Sequence, residues 1–393
     1  MQEYKIAKGW SIFIWFMAPA LIGLFGLMGV MPFFTDEIDL TLVLILTPIS
    51  IGMVTLMVFG LIDIYKGRFI IKKDKLISIG IFKTKELNFD EIKGYAVTEQ
   101  YIFVIPKDKQ KRNIKISQYL GGYREVLLWI SQKFVDLNDV KEAVEEQGIL
   151  NDQSIGWSRE LREEKLLNAR KITKLVNLLG IISFSWTLFY PKPYDYAVLS
   201  ALVVPIFAVL VIKFSSGLIR IDKPNGSAYP SVIYALIFPS MGLMVRSVFD
   251  YDIFDYSNVW LKSIAIMISL LFILLIKQKE ITFNKKQDFL TIASVAMFLG
   301  LYGFGTVIYL NCCLDKSEPE HFTAKILDKR ISTGKHTSYY LELTSWGERK
   351  EIDEVSVSKG LYHRVEVDNE INIYFRNGKL EIPWFIVTDK KRE

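Results

Sequence analysis

The sequence predicts a multipass α-helical membrane protein of seven spans that carries two small β-domains, one inserted after the second span and one at the C-terminal end. Three observations lead there. The 393-residue chain is 51% apolar with a mean hydropathy of +0.24, which excludes a wholly soluble protein. Several apolar runs match the ~20 residues a helix needs to cross ~30 Å of hydrocarbon. Between and after these runs lie short alternating stretches rich in Ile, Val, Phe and Tyr, the pattern of half-buried strands.

Read with a ~19-residue window, the spans are Trp10–Phe34, Leu40–Ile64, Ile172–Tyr190, Tyr196–Ile212, Tyr229–Phe249, Val259–Ile276 and Phe289–Leu310. The first is too long for the apolar core of a signal peptide, and a second span follows within a few residues. Charge sets the orientation. Lys5 and Lys8, then Lys213, Arg220 and Lys223, then Lys277, Lys279, Lys285 and Lys286 fall on one side. Asp36, Glu37 and Asp39, then Lys192 with Asp195, then Asp250, Asp252 and Asp255 fall on the other, so lysine and arginine lie almost wholly on one side. The positive-inside rule puts the N-terminus in the cytoplasm and, with seven crossings, residues 313–393 outside it. The expected location is a bacterial cytoplasmic (inner) membrane.

The 107 residues from Tyr65 to Lys171 hold the first soluble stretch. "RFIIKKD", "KLISIGIFKTKELNF", "IKGYAVTEQ", "YIFVIPKD" and "NIKISQYL" read as strands. "YREVLLWISQKFVDL" then reads as one amphipathic helix, with Val126, Trp129, Ile130 and Phe134 on its apolar face. Residues 65–137, through "LISIGIFKTKELNFDEIKGY", "IKISQYL" and the closing helix, resemble a bacterial PH-like domain of the type that follows a transmembrane hairpin. The resemblance implies a cytoplasmic, non-enzymatic β-barrel plus helix held against the bilayer, and it implies no residue-by-residue lipid site. From the residues themselves, Lys72, Lys73, Lys83, Lys85, Lys111 and Arg112 are candidate membrane-surface or lipid contacts. The competing reading makes them solubilising loop charges that obey the positive-inside rule.

Residues 138–171 form a charged helical linker, expected to break at Gly148 and near Gly156, with Ser158 capping its second helix. Three basic segments, "YKGRFIIKKD", "SSGLIRIDKP" and "KQKEITFNKKQD", follow spans two, four and six, consistent either with a repeated hairpin or with chance likeness of short basic loops. Residues 172–312 hold spans three to seven. Arg246 lies near the outer end of the fifth and, with Asp250 one turn on, makes the candidate intramembrane site. The alternative is a snorkelling arginine paired with its i+4 carboxylate.

Residues 313–393 return to strands in "FTAKILDKRIS", "SYYLELTSW", "VSVSKGLYHRV", "EINIYFRNG" and "LEIPWFIV", the pattern of a small OB- or SH3-like barrel. His321, His336 and His363 lack metal-ligand spacing, and Cys312 and Cys313 read as two buried or interfacial thiols. No HExxH or GxSxG motif occurs. The expected function is therefore a non-enzymatic scaffold, binding module or signal relay, with no cofactor, whose partners are membrane lipids and other proteins rather than nucleic acid. The alternative is a permease or channel with its site at Arg246 and the acidic outer loop.

Overall fold

The computed structural model describes residues 1–34, 40–276, 281, 283, 286–333 and 337–389. The acidic cluster at Asp36, Glu37 and Asp39, the basic residues Lys277, Lys279 and Lys285, and His336 lie outside them. Among the described residues, six helices are long and apolar enough to cross a membrane. The chain divides into two compact units, residues 1–151 with 224–228, and residues 152–223 with 229–393.

In the first unit, strand β1 (Gln2–Lys5) precedes helices α1 (Lys8–Val30) and α2 (Leu40–Lys66). The helix pair is close where Gly29 meets Ser50: a Cβ on Gly29 would stand 2.7 Å from that of Ser50. Strands β2 (Arg68–Ile71), β3 (Lys75–Ile79) and β4 (Thr84–Asn88) follow, and β1 pairs antiparallel with β2, with Lys5 opposite Arg68. The helical hairpin is thus inserted between two neighbouring strands of one four-stranded sheet, β1-β2-β3-β4. A capping box at Asn88 and Glu91 turns the chain into a second sheet of β5 (Ile92–Val97), β6 (Tyr101–Pro106) and β7 (Ile114–Ser117). Alternate apolar residues of both sheets, among them Phe69, Leu76, Leu87, Ile102 and Ile116, share one core with Val126 and Ile130 of helix α3 (Tyr123–Lys133). Trp129, expected in that core, is half-buried at its edge against Phe89 and Phe134.

Helix α4 (Leu137–Asn151) runs through Gly148, so the expected break there is absent. A single glycine costs a helix only about 1 kcal/mol, less than the packing of Ile149 and Leu150, both buried beside it, recovers. Residues 224–228 dock on this helix. Glu145 accepts hydrogen bonds from the Ser227 hydroxyl (2.9 Å) and the Ala228 N–H (3.0 Å). Gly226, at φ 70°, sits where a Cβ would lie 2.7 Å from the Asn138 carbonyl oxygen.

The second unit begins with α5 (Arg159–Phe189), 31 residues capped by Ser158. The second linker helix and the third span are therefore one helix, because neither Pro nor Gly interrupts it before Gly180. Helix α6 (Tyr194–Phe214) follows, then α7 (Ile233–Phe249), 17 residues and shorter than the other apolar helices. The sequence places its start at Tyr229, but Pro230 accepts from the Arg220 N–H and Val232 donates to the Arg220 carbonyl. That backbone is spent on a turn, so helix starts later. "SSGLIRIDKP" makes this single bridge rather than a strand. Helix α7 packs against α5, α6 and α9 through small residues: a Cβ on Gly180 would stand 2.6 Å from Ala235 Cα, and one on Gly305 would stand 2.8 Å from Leu243.

After α7 come the two-residue strand β8 (Asp252–Ile253), α8 (Ser257–Leu275) and α9 (Lys286–Cys313). The C-terminal part is a six-stranded antiparallel sheet of order β11-β10-β9-β12-β13-β8. Its strands are β9 (Glu320–Thr333), β10 (Thr337–Leu343), β11 (Asp353–Val357), β12 (Glu370–Arg376) and β13 (Trp384–Asp389). The expected small barrel is a half-barrel, since the edge strands β11 and β8 are not neighbours. The long β9 serves both halves, pairing with β12 through Lys325 and with β10 from Ile326 onward. Within "VSVSKGLYHRV", Lys359–Arg364 is a short helix, α10, because the Ser358 hydroxyl accepts the Leu361 N–H and starts a turn.

Candidate functional site

The pairing of β1 with β2 brings both ends of the α1–α2 hairpin to one edge of the first unit, and the side chains gathered there form its candidate membrane-facing rim. Trp10, on the first turn of α1, packs edge-on against Tyr119 with ring centroids 4.4 Å apart. The backbone locks that contact, as Ala7 N–H donates to the Tyr119 carbonyl and Gly121 N–H to that of Lys5. On the other side the β3–β4 loop carries Phe82, 73% exposed, whose ring meets Phe59 of α2 at 5.2 Å. Phe59 lies two turns inside α2 from its end at Lys66, so at 1.5 Å per residue Phe82 reaches about 10 Å along the apolar helix.

The six predicted contact residues do not form one patch. Lys83 adjoins Phe82 at the rim. Lys85, two residues on, donates to the Asn113 carbonyl at 2.9 Å, and burial, with Lys115 and Arg112 close by, lowers its pKa below the usual lysine value. Lys83, Lys85 and Arg112 have no ion-pair partner among the described residues. Lys111 is committed, with its ammonium 2.6 Å from Glu91. Lys72 and Lys73 occupy the turn at the far end of the β2–β3 hairpin, where Lys72 N–H bonds the Lys75 carbonyl. Strands of four and five residues separate them from the rim by on the order of 13 Å.

Arg246 also takes a defined place. Its Nε donates to the Thr187 carbonyl (2.6 Å) and one Nη to the Leu188 carbonyl (2.7 Å), capping the C-terminal turn of α5. The other Nη lies 3.4 Å from Asp250, whose second oxygen accepts the Tyr194 hydroxyl at 2.9 Å. The side chain is 19% exposed. The snorkelling reading overlooked the carbonyls: a guanidinium fork spans two adjacent helix-end acceptors, which otherwise lack partners.

A third cluster was not legible. Buried Asn311 near the end of α9 accepts the Leu380 N–H (2.9 Å) and donates to the Ile382 carbonyl (2.8 Å). Asp315 accepts the Trp384 indole N–H (2.8 Å) and the Gly378 N–H (3.1 Å). Burial alone would raise the Asp315 carboxyl, but these bonds and those from Ser317 together hold it below its usual range. The "NGK" turn is thereby fixed to the last helix. The buried Asn, the Trp and the turn glycine were visible as residue types, but their approach across the fold was not. Cys312 is buried, Cys313 is exposed, and both are free thiols. Among the described residues no group of three His, Cys, Asp or Glu side chains is placed to hold a metal ion.

No family model, curated protein or solved structure matches this chain.

Proposed function

We propose that the protein is a non-enzymatic bacterial inner-membrane connector. A cytoplasmic PH-like module held on the bilayer and an extracytoplasmic β-domain bind protein partners and relay their state. The observation that carries this is the pairing of β1 with β2, which makes the membrane hairpin an insertion within the module's sheet rather than a tail attached by a linker. Two sheets of four and three strands closed by one helix support the PH-like reading. Phe82 on Phe59 and Tyr119 on Trp10 support a module that rests on the leaflet, with Lys83, Lys85 and Arg112 facing its anionic surface. The 17 residues of α7 reach the lower limit for a crossing, and we count it as the seventh span, which places residues 313–393 outside. The permease reading lacks support, since the Arg246 fork is occupied by α5 carbonyls.

The test is depth measurement on full-length protein in bilayers, with Cys312 and Cys313 replaced by Ser and a spin label at Lys83→Cys or Lys73→Cys. The label at 83 should be relaxed by oxygen as at headgroup depth, and that at 73 by a water-soluble nickel complex. Equal aqueous exposure at both positions would remove the resting geometry.

A further inference from the structure

Where α6 ends, Ser215, Ser216, Leu218 and Ile219 line one wall of an open cavity of ≈ 340 Å³ whose other wall is the facing side of α5. Ser215 has right-handed helical geometry (φ −79°, ψ 0°), and Ser216 and Gly217 follow with φ of 55° and 85°. A right-handed residue followed by a left-handed one aims successive N–H groups into one concavity, a nest suited to an anion. The N–H groups of Ser216 and Gly217 have no hydrogen-bond acceptor among the described residues, whereas their neighbours Ser215 and Leu218 do. Serine seldom adopts the left-handed region, and such strain is typically held at binding sites.

The opposite wall supplies charge. Lys165 uses one of its three donors on the Ile155 carbonyl at 2.6 Å, leaving two. The Asn168 side chain, one turn further along α5, makes no hydrogen bond among the described residues, and both side chains line the cavity. The adjacent acids Glu163 and Glu164 do not line it. Below this polar rim the lining turns apolar at Ile172, Val211 and Phe214. Phe214 is 84% exposed and Ile172 45% exposed, so the wall is continuous with the outward apolar faces of α5 and α6. A free anion would use the rim and leave that wall empty.

We propose that this cavity binds one phospholipid. Its phosphodiester is received by the Ser216 N–H, Lys165 and Asn168, and its acyl chain runs along Ile172, Val211 and Phe214. The inference is independent of the PH-like module, since every residue named lies in the second unit.

Full-length protein in detergent is titrated with dioctanoyl phosphatidylglycerol, dioctanoylglycerol and inorganic phosphate, with binding read by native mass spectrometry and by the shift in melting temperature. The phospholipid should bind at least about tenfold more tightly than either fragment, and Lys165→Gln should reduce its affinity at least about tenfold. Lys174→Gln, outside the cavity lining, should not change it. Because Lys165 also holds Ile155, Asn168→Leu serves as a second variant that breaks no existing bond, and it should weaken binding severalfold with the melting temperature of lipid-free protein unchanged. Binding of dioctanoylglycerol as tight as that of the phospholipid would overturn the phosphate reading. Equal binding of inorganic phosphate would overturn the lipid in favour of a free anion. Unchanged phospholipid affinity in the folded Asn168 and Lys165 variants would overturn the site itself.

Discussion

Replacing Arg246 by Leu removes two hydrogen bonds from a cation to the C-terminal carbonyls of α5, at 2.6 and 2.7 Å, and a weak 3.4 Å contact to Asp250. A hydrogen bond to a charged group contributes about 1.5–3 kcal/mol. Water at the helix end replaces part of this, so about 2–4 kcal/mol is expected for the pair. For a unit of this size 1 kcal/mol moves the melting temperature by about 2–4 °C, giving a fall of roughly 5–15 °C. Arg246→Lys keeps the charge but has no planar fork, so it should lose about half as much. Asp250→Asn should cost less than ~1 kcal/mol, because its contact with Arg246 is long and partly exposed. The assay is thermal unfolding of the purified full-length variants in one detergent, followed by tryptophan fluorescence. An Arg246→Leu protein melting within 1–2 °C of the parent, or a ranking in which Asp250→Asn is the worst, would refute the capping argument.

Because Lys5 lies opposite Arg68, replacing the helical hairpin with a short Asn-Gly turn should give a soluble, β-rich domain by circular dichroism, whereas a fragment starting at Tyr65 should aggregate for want of β1; equal behaviour of the two would contradict the insertion. Ile130→Ala should destabilise full-length protein by about 2–5 kcal/mol, and more than Trp129→Ala, whose ring is half-buried; denaturant titration gives the order. Gly180→Val should cost at least about 2 kcal/mol, since its Cβ would meet Ala235 at 2.6 Å, and a thermal melt equal to the parent's would refute the close α5–α7 approach. Asp252 is exposed along its own surface, but the protein packed around its carboxyl strips hydration and pushes it up to about 6, against the opposing pull of Arg349. A raised acid pKa contributes stability that is full below about pH 4 and lost as pH rises through about 6. Melting temperature should therefore fall over that window in the parent and fall less in Asp252→Asn, though the residue's own exposure screens the effect.

The apolar helices were legible because a run of ~20 apolar residues has few other uses, and the strands of the first unit because Ile, Phe and Tyr alternate over a buried face. What escaped was set at long range. Gln2–Lys5 is four residues beside a span and becomes a strand only because Arg68–Ile71 offers an unpaired edge. Asp252–Ile253 pairs with Phe385 and Trp384, far along the chain, and two residues carry no periodicity. The start of α7 depended on Arg220 pairing across the turn with Pro230 and Val232. At the candidate sites, lysine type marked a basic surface but not its division. Lys111 is paired with Glu91, Lys72 and Lys73 sit in a distal turn, and Phe82, which packs on Phe59 of α2, carries no charge to draw notice.

In the proposed connector the two β-modules face opposite sides of the membrane, and cysteine labelling separates this arrangement from one with both on the same side. In a Cys312→Ser, Cys313→Ser background, Lys73→Cys and Glu351→Cys are treated in spheroplasts with a membrane-impermeant maleimide, before and after permeabilisation. Five crossings separate the two positions if α7 spans the bilayer. Residue 351 should label in intact spheroplasts and residue 73 only after permeabilisation. Labelling of both positions from the same side would remove α7 as a span and contradict the connector.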